Sequence, residues 1–162
     1  SDLTSEFDGL YAVNFNCPGQ IVVSGLKEQM PKFCEKAVSA GGRCVPIAVS
    51  AAFHSPFMGK ASEEFSKELA NYNIGAPKIP VYSNYTAQPY GDNVSFLLGM
   101  QMKSPVRWQE TVENMISDGY TDFIEVGAGK TLSGLIKKIS RDVRVFSVED
   151  SETLDKTISL LK

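Results

Sequence analysis

Phe123-Ile124-Glu125-Val126-Gly127-Ala128-Gly129-Lys130-Thr131-Leu132-Ser133-Gly134-Leu135-Ile136 contains a strand, a glycine turn and the start of a helix in one short run. Phe123 to Val126 is rich in aromatic and β-branched residues, and two glycines follow it. Leu132, Leu135, Ile136 and Ile139 then recur at helical spacing. A strand that turns directly into a helix is the building unit of α/β folds. The unit recurs downstream, where Val143–Val148 reads as a strand and Leu154, Ile158 and Leu161 mark a last helix. Upstream, Trp108, Val112, Met115 and Ile116 share one helix face, starting near Pro105. Another helix runs from about Asp92 towards Met100, and Ala61, Phe65, Leu69 and Tyr72 mark a further one. Ile79–Ser83 and Cys44–Ala51 read as strands. Nearer the start, Tyr11–Asn16 and Gln20–Ser24 form a predicted hairpin around Cys17-Pro18-Gly19. A helix carrying Leu26, Met30, Phe33 and Ala37 ends at Gly41-Gly42. The expectation is an α/β fold with a largely parallel sheet. A seam near Val49–Ala51 separates the hairpin and its helix from the strand–helix alternation.

The chain has 162 residues, 43% hydrophobic and 22% charged, which suits one globular domain. A net charge of -3 argues against a nucleic-acid binder, which would carry a basic face. No apolar run reaches the ~18 residues of a membrane span. Ser1-Asp2-Leu3-Thr4-Ser5-Glu6 lacks the pattern of a signal peptide, so the expected compartment is the cytoplasm. Cys17, Cys34 and Cys44 make an odd count with no paired spacing. They are expected as buried or incidental thiols rather than a disulfide framework. One histidine and no Cys-x-x-Cys pair leave no zinc site of ordinary spacing, and no cofactor is implied.

Gly127-Ala128-Gly129-Lys130-Thr131 lies where a phosphate loop would lie. A Walker loop needs a further glycine where Ile124 stands, which argues against an NTPase, although a helix N-terminus there could face an anion. No Gly-x-Ser-x-Gly elbow occurs, so no serine of the α/β-hydrolase kind is present. The single histidine, His54, follows the apolar run Val45–Ala52 and precedes Ser55-Pro56. Imidazole exchanges protons near neutral pH. His54 is thus either a structural residue at a strand end or a proton carrier whose partner lies on other sequence.

Four blocks decide between these readings. They are Asn14-Phe15-Asn16-Cys17-Pro18-Gly19-Gln20-Ile21-Val22-Val23-Ser24-Gly25, Phe53-His54-Ser55-Pro56-Phe57-Met58, Gln101-Met102-Lys103-Ser104-Pro105-Val106-Arg107-Trp108 and Glu125-Val126-Gly127-Ala128-Gly129-Lys130. In this order they resemble the C-terminal half of the malonyl-CoA:acyl carrier protein transacylase family of bacterial fatty-acid synthesis, relatives of polyketide synthase acyltransferase domains. The resemblance runs over nearly the whole chain. It implies the C-terminal part of an α/β-hydrolase-like acyltransferase (residues 51–162), preceded by the later part of a ferredoxin-like inserted subdomain (residues 1–50).

The reaction implied is ping-pong acyl transfer. A serine takes malonyl from malonyl-CoA, and the phosphopantetheine thiol of acyl carrier protein then takes it from the serine. His54 matches the family's catalytic histidine. Gln101 matches the position whose backbone carbonyl orients that histidine. Phe53 matches the aromatic of malonyl-selective relatives, and Asn16 is a candidate polar contact beside the cleft. Ala128 replaces the family's usual proline. The serine elbow, the arginine that pairs with the malonyl carboxylate and the early oxyanion-hole glutamine find no match in these residues. The N-terminal half of the same enzyme is therefore an implied partner, and this fragment alone is expected to be inactive. The rival readings are a non-catalytic carrier-protein docking module, with Lys60, Lys103, Arg107, Lys137 and Lys138 as possible contacts, and a hydrolase using His54.

Overall fold

The computed structural model describes residues 2–161. β1 (Leu10–Cys17) and β2 (Gln20–Gly25) form the expected antiparallel hairpin, turning at Pro18-Gly19 with Gly19 at φ +77°. The register shifts between Ala12 and Asn14 and again between Phe15 and Cys17. These bulges explain why the buried residues Leu10, Val13 and Cys17 do not follow a period of two. Gly25 closes the base of the hairpin against Gly9. A 3₁₀ turn over Lys27–Gln29 leads into α1 (Met30–Ser39), with Pro31 in its first turn, where a missing N–H costs nothing. Phe33 of α1 is buried, edge-on to Phe7 at 5.7 Å.

Cys34 and Cys44 are joined by a disulfide, and Cys17 is a buried free cysteine. This corrects the expectation of three unpaired thiols. Spacing along the chain hid the pair, because α1 and the Gly41-Gly42 turn fold back to bring the two Cα atoms within 5.5 Å. Reduction with a dithiol is expected to destabilise the fold by about 3 kcal/mol, the loop-closure value for so short a ring. Thermal melts with and without reductant, against Cys34→Ser, check this.

Two expected strands are not formed. Residues 42–49 adopt no regular structure, and Val45, Ile47 and Val49 are each about 60% exposed, at 61%, 59% and 62%. The apolar content is present, but no ladder partner among the described residues supplies the hydrogen bonds that make a strand. Ile79–Ser83 contracts to one antiparallel bridge, Tyr82 to Pro89. The regular sheets are accordingly the β1–β2 hairpin and one parallel pair, β3 (Asp122–Val126) with β4 (Arg144–Val148), rather than one wide parallel sheet.

α5 (Thr131–Ile139) makes the crossover between β3 and β4 and brings Leu135 and Ile136 into the core. α6 (Ser151–Leu161) packs on β4. α4 (Trp108–Ser117) lies with α5 against β1, and its Val112 is completely buried. α2 (Gly59–Leu69) and α3 (Val94–Lys103) pack as a pair. A buried polar contact links them: the Ser62 hydroxyl donates to the Gly99 carbonyl at 2.7 Å. No helix among the described residues is long and apolar enough to cross a membrane.

Candidate active site

His54 sits in the loop before α2, with its backbone at φ +60°. This left-handed conformation costs a residue with a Cβ about 1–2 kcal/mol and needs outside support. Two consecutive carbonyls at the end of α3 hold the residue. The His54 backbone N–H donates to Met102 O at 3.2 Å, and the ring Nδ1 lies 2.9 Å from Gln101 O. A carbonyl only accepts, so Nδ1 carries a proton, and in the neutral ring the lone pair then lies on Nε2. The backbone thereby fixes the orientation of the imidazole, and a neutral ring held this way can accept a proton at Nε2.

The same connector ties this loop to the hairpin. Val106 N–H donates to Val13 O at 2.8 Å, and Phe15 N–H donates to Val106 O at 2.9 Å. The Ser24 hydroxyl of β2 donates to Phe53 O at 3.3 Å. Residues 101–107 thus act as a shared spine, holding the histidine at one end and pairing with β1 through a parallel bridge, Val106 to Asn14, at the other. His54 is half-buried and lines an open cleft of about 500 Å³, together with Asp8, Leu10, Tyr11, Pro56, Lys103 and neighbouring backbone.

The four residues singled out by sequence do not converge equally. His54 and Gln101 are in direct contact through the Gln101 carbonyl, while the Gln101 side chain faces Tyr90, whose hydroxyl donates to Oε1 at 3.4 Å. Phe53 adjoins His54 and is 48% exposed. Asn16 lies half-buried at the far end of β1, outside the residues that line the cleft, and its side chain has no hydrogen-bond partner among the described residues. Ser24, Met102 and Val106 were missed because they act through backbone groups or a single hydroxyl, which residue type does not announce. Because the Gln101 contact is a main-chain one, Gln101→Ala is expected to leave the Nδ1-protonated tautomer of His54 unchanged. Nitrogen-15 NMR of this single histidine checks it.

The glycine turn after β3 has an internal anion. The Glu125 carboxylate accepts N–H bonds from Leu132 at 3.0 Å and Ser133 at 2.8 Å, at the start of α5. Gly129 N–H donates to Glu149 at 3.1 Å. Hydrogen bonding from Ser133, side chain first and then backbone, holds the Glu125 carboxyl below its ordinary 4.5. A lowered folded-state value makes the contribution full above 4.5 and lost as pH falls through the folded value. Glu125→Gln is therefore expected to lower the melting temperature at pH 7 and to leave a shallower loss on acidification, read from melts across pH 2–7. Among the described residues no cluster of metal-ligating side chains occurs.

Residues 2–153 match the model of the acyl transferase domain family. The chain belongs to the acyl transferase domain family. Within that family it is 38% identical, over 99% of its length, to the malonyl CoA-acyl carrier protein transacylase of Bacillus subtilis (strain 168). It is 42% identical, over 93% of its length, to the Staphylococcus aureus (strain MSSA476) enzyme of the same name. The chain spans about half the length of these relatives, 51% and 50%. The crystal structure of the malonyl CoA-acyl carrier protein transacylase from Clostridium perfringens superposes with a TM-score of 0.95 at 38% identity, over 99% of this chain and 52% of that one. A complex of a malonyl-transacylase with a type II polyketide acyl-carrier protein superposes with a TM-score of 0.94 at 30% identity, over 98% of this chain and 53% of that one. The α/β architecture of the chain is that of this family.

Proposed function

We propose that this chain is the histidine-bearing, C-terminal part of a malonyl-CoA:acyl carrier protein transacylase. Residues 1–50 form the later part of a ferredoxin-like subdomain, and residues 51–162 the C-terminal part of an α/β-hydrolase-like one. The Nδ1 contact of His54 with Gln101 O, in an open cleft, carries the reading. It supports a role for Nε2 as general base.

The serine that Nε2 deprotonates comes from a complementing N-terminal half, as do the arginine for the malonyl carboxylate and most of the oxyanion hole. Serine attacks the malonyl-CoA thioester, and the His54 imidazolium returns its proton to the departing CoA thiolate. In the second half-reaction His54 takes the proton of the carrier protein's phosphopantetheine thiol. The thiolate then attacks the malonyl-serine ester and frees the hydroxyl. Phe53, exposed beside His54, crowds a methyl branch on the acyl group. Asn16 is proposed as a polar contact for the substrate once the other half is in place. The exposed apolar residues Val45, Ile47, Val49 and Val126 (80% exposed) favour a polypeptide partner that covers them.

Complementation tests this. The chain is mixed with an N-terminal half carrying Gly-His-Ser-Leu-Gly, and malonyl transfer to holo acyl carrier protein is measured. Transfer by the mixture and by neither half alone is expected. A folded complex without transfer contradicts the assignment.

A further inference from the structure

We propose that Ser55 is a positioning residue for His54, an inference that rests on the general-base reading above. Ser55 is completely buried and immediately precedes Pro56, where a 3₁₀ turn opens and runs into α2. A serine at such a helix start ordinarily accepts a backbone N–H as an N-cap. Ser55 makes no such cap. Its hydroxyl turns backwards and donates to Ala52 O at 2.6 Å.

That bond spans Phe53 and His54, so it closes a tight loop around the residue whose φ is +60°. The two carbonyls of Gln101 and Met102 hold His54 from outside. The Ser55–Ala52 bond holds the same turn from within. Ser55 touches no reacting atom. Its function is to keep the left-handed turn from relaxing to negative φ, which would swing Nδ1 away from Gln101 O and release the tautomer.

The test uses the full chain, in which His54 is the only histidine, so its ring nitrogens give an unambiguous nitrogen-15 spectrum. The unaltered chain is expected to show one Nδ1-protonated tautomer. It is also expected to show a slowly exchanging Ser55 hydroxyl proton coupled through the hydrogen bond to the Ala52 carbonyl carbon. Ser55→Ala, and the near-isosteric Ser55→Cys, are expected to convert the ring to the mixture of a free imidazole, with Nε2 protonated in the majority. Amide resonances away from residues 50–58 and 100–104 should hold their positions.

An Nδ1 signal unchanged in either folded variant overturns the proposal. So does a Ser55 hydroxyl in the unaltered chain that exchanges as freely as one in water, whether or not the variants fold. In the complemented enzyme, Ser55→Ala is expected to lower kcat about 10-fold or more, with KM for malonyl-CoA within about 2-fold, the pattern of a lost transition-state interaction. Unchanged kcat contradicts it. If the unaltered assembly transfers no malonyl group, the functional reading fails, and the spectra still decide the role of Ser55.

Discussion

His54→Ala is expected to reduce malonyl transfer by the complemented enzyme about 10²- to 10⁴-fold, the span attributed to one positioned general acid–base group. The loss should fall on kcat, because the ring contributes to proton transfer rather than to holding CoA. Both half-reactions should slow, since in the proposed mechanism the same Nε2 serves the serine hydroxyl and the incoming thiol. The geometry gives the reason. Nδ1 is committed to Gln101 O at 2.9 Å, so the ring offers one basic nitrogen in one orientation. A carbonyl in this role supplies orientation without a full negative charge, and so does the work of the tautomer-fixing carboxylate in other triads by geometry alone. His54→Gln keeps much of the volume and removes the base, and should behave as His54→Ala does. Comparable circular dichroism and complex formation separate this outcome from misfolding.

Gly25→Ala is expected to destabilise the chain by about 3 kcal/mol, at the upper end of the ranges for overpacking and for a forbidden backbone conformation. Gly25 has φ +149°, and a Cβ there would lie 1.9 Å from Gly9 O and 2.9 Å from the Leu10 Cα. Neither neighbour is a side chain that can rotate away. Leu26 N–H donates to Gly9 O at 3.0 Å across the same junction, so any shift breaks the link that squares β2 with the segment before β1. The hairpin carries Ser24, which donates to Phe53 O, and Val13 and Phe15, which bond Val106. Its displacement therefore reaches His54. Denaturant unfolding should show a lowered midpoint. Gly19→Ala, at the other end of the hairpin, also sits at positive φ but meets no atom within 4 Å and should cost about 1 kcal/mol.

Most of the helices were legible from a periodic apolar face, and the strands from β-branched and aromatic runs bounded by turn signals. Pro18-Gly19 located the hairpin turn, and Gly127 to Gly129 located the turn into α5. Residues 44–51 misled because β-branched content reports a tendency, whereas a strand exists only where a ladder partner lies alongside. The disulfide escaped notice because pairing depends on the fold of α1 and not on a count of cysteines. At the site, the contact between His54 and the Gln101 carbonyl was implied by the resemblance that four ordered motifs carry, and the structure contains that contact. The Met102 and Ser55 bonds were not legible, because one runs through the main chain and the other through a hydroxyl that no motif singles out. Glu125 carries no sequence signal for its role, because its carboxylate meets the first N–H groups of α5 only once the turn has folded.

The most direct measurement is the first half-reaction in isolation. The chain is combined with a polypeptide carrying the serine elbow, malonyl-CoA is added without carrier protein, and intact masses of both polypeptides are followed against released CoA. One malonyl group should appear on the complementing polypeptide, in step with one CoA, at a rate that collapses in His54→Ala. Acylation that proceeds equally fast with His54→Ala in a folded complex would contradict the role assigned to this histidine.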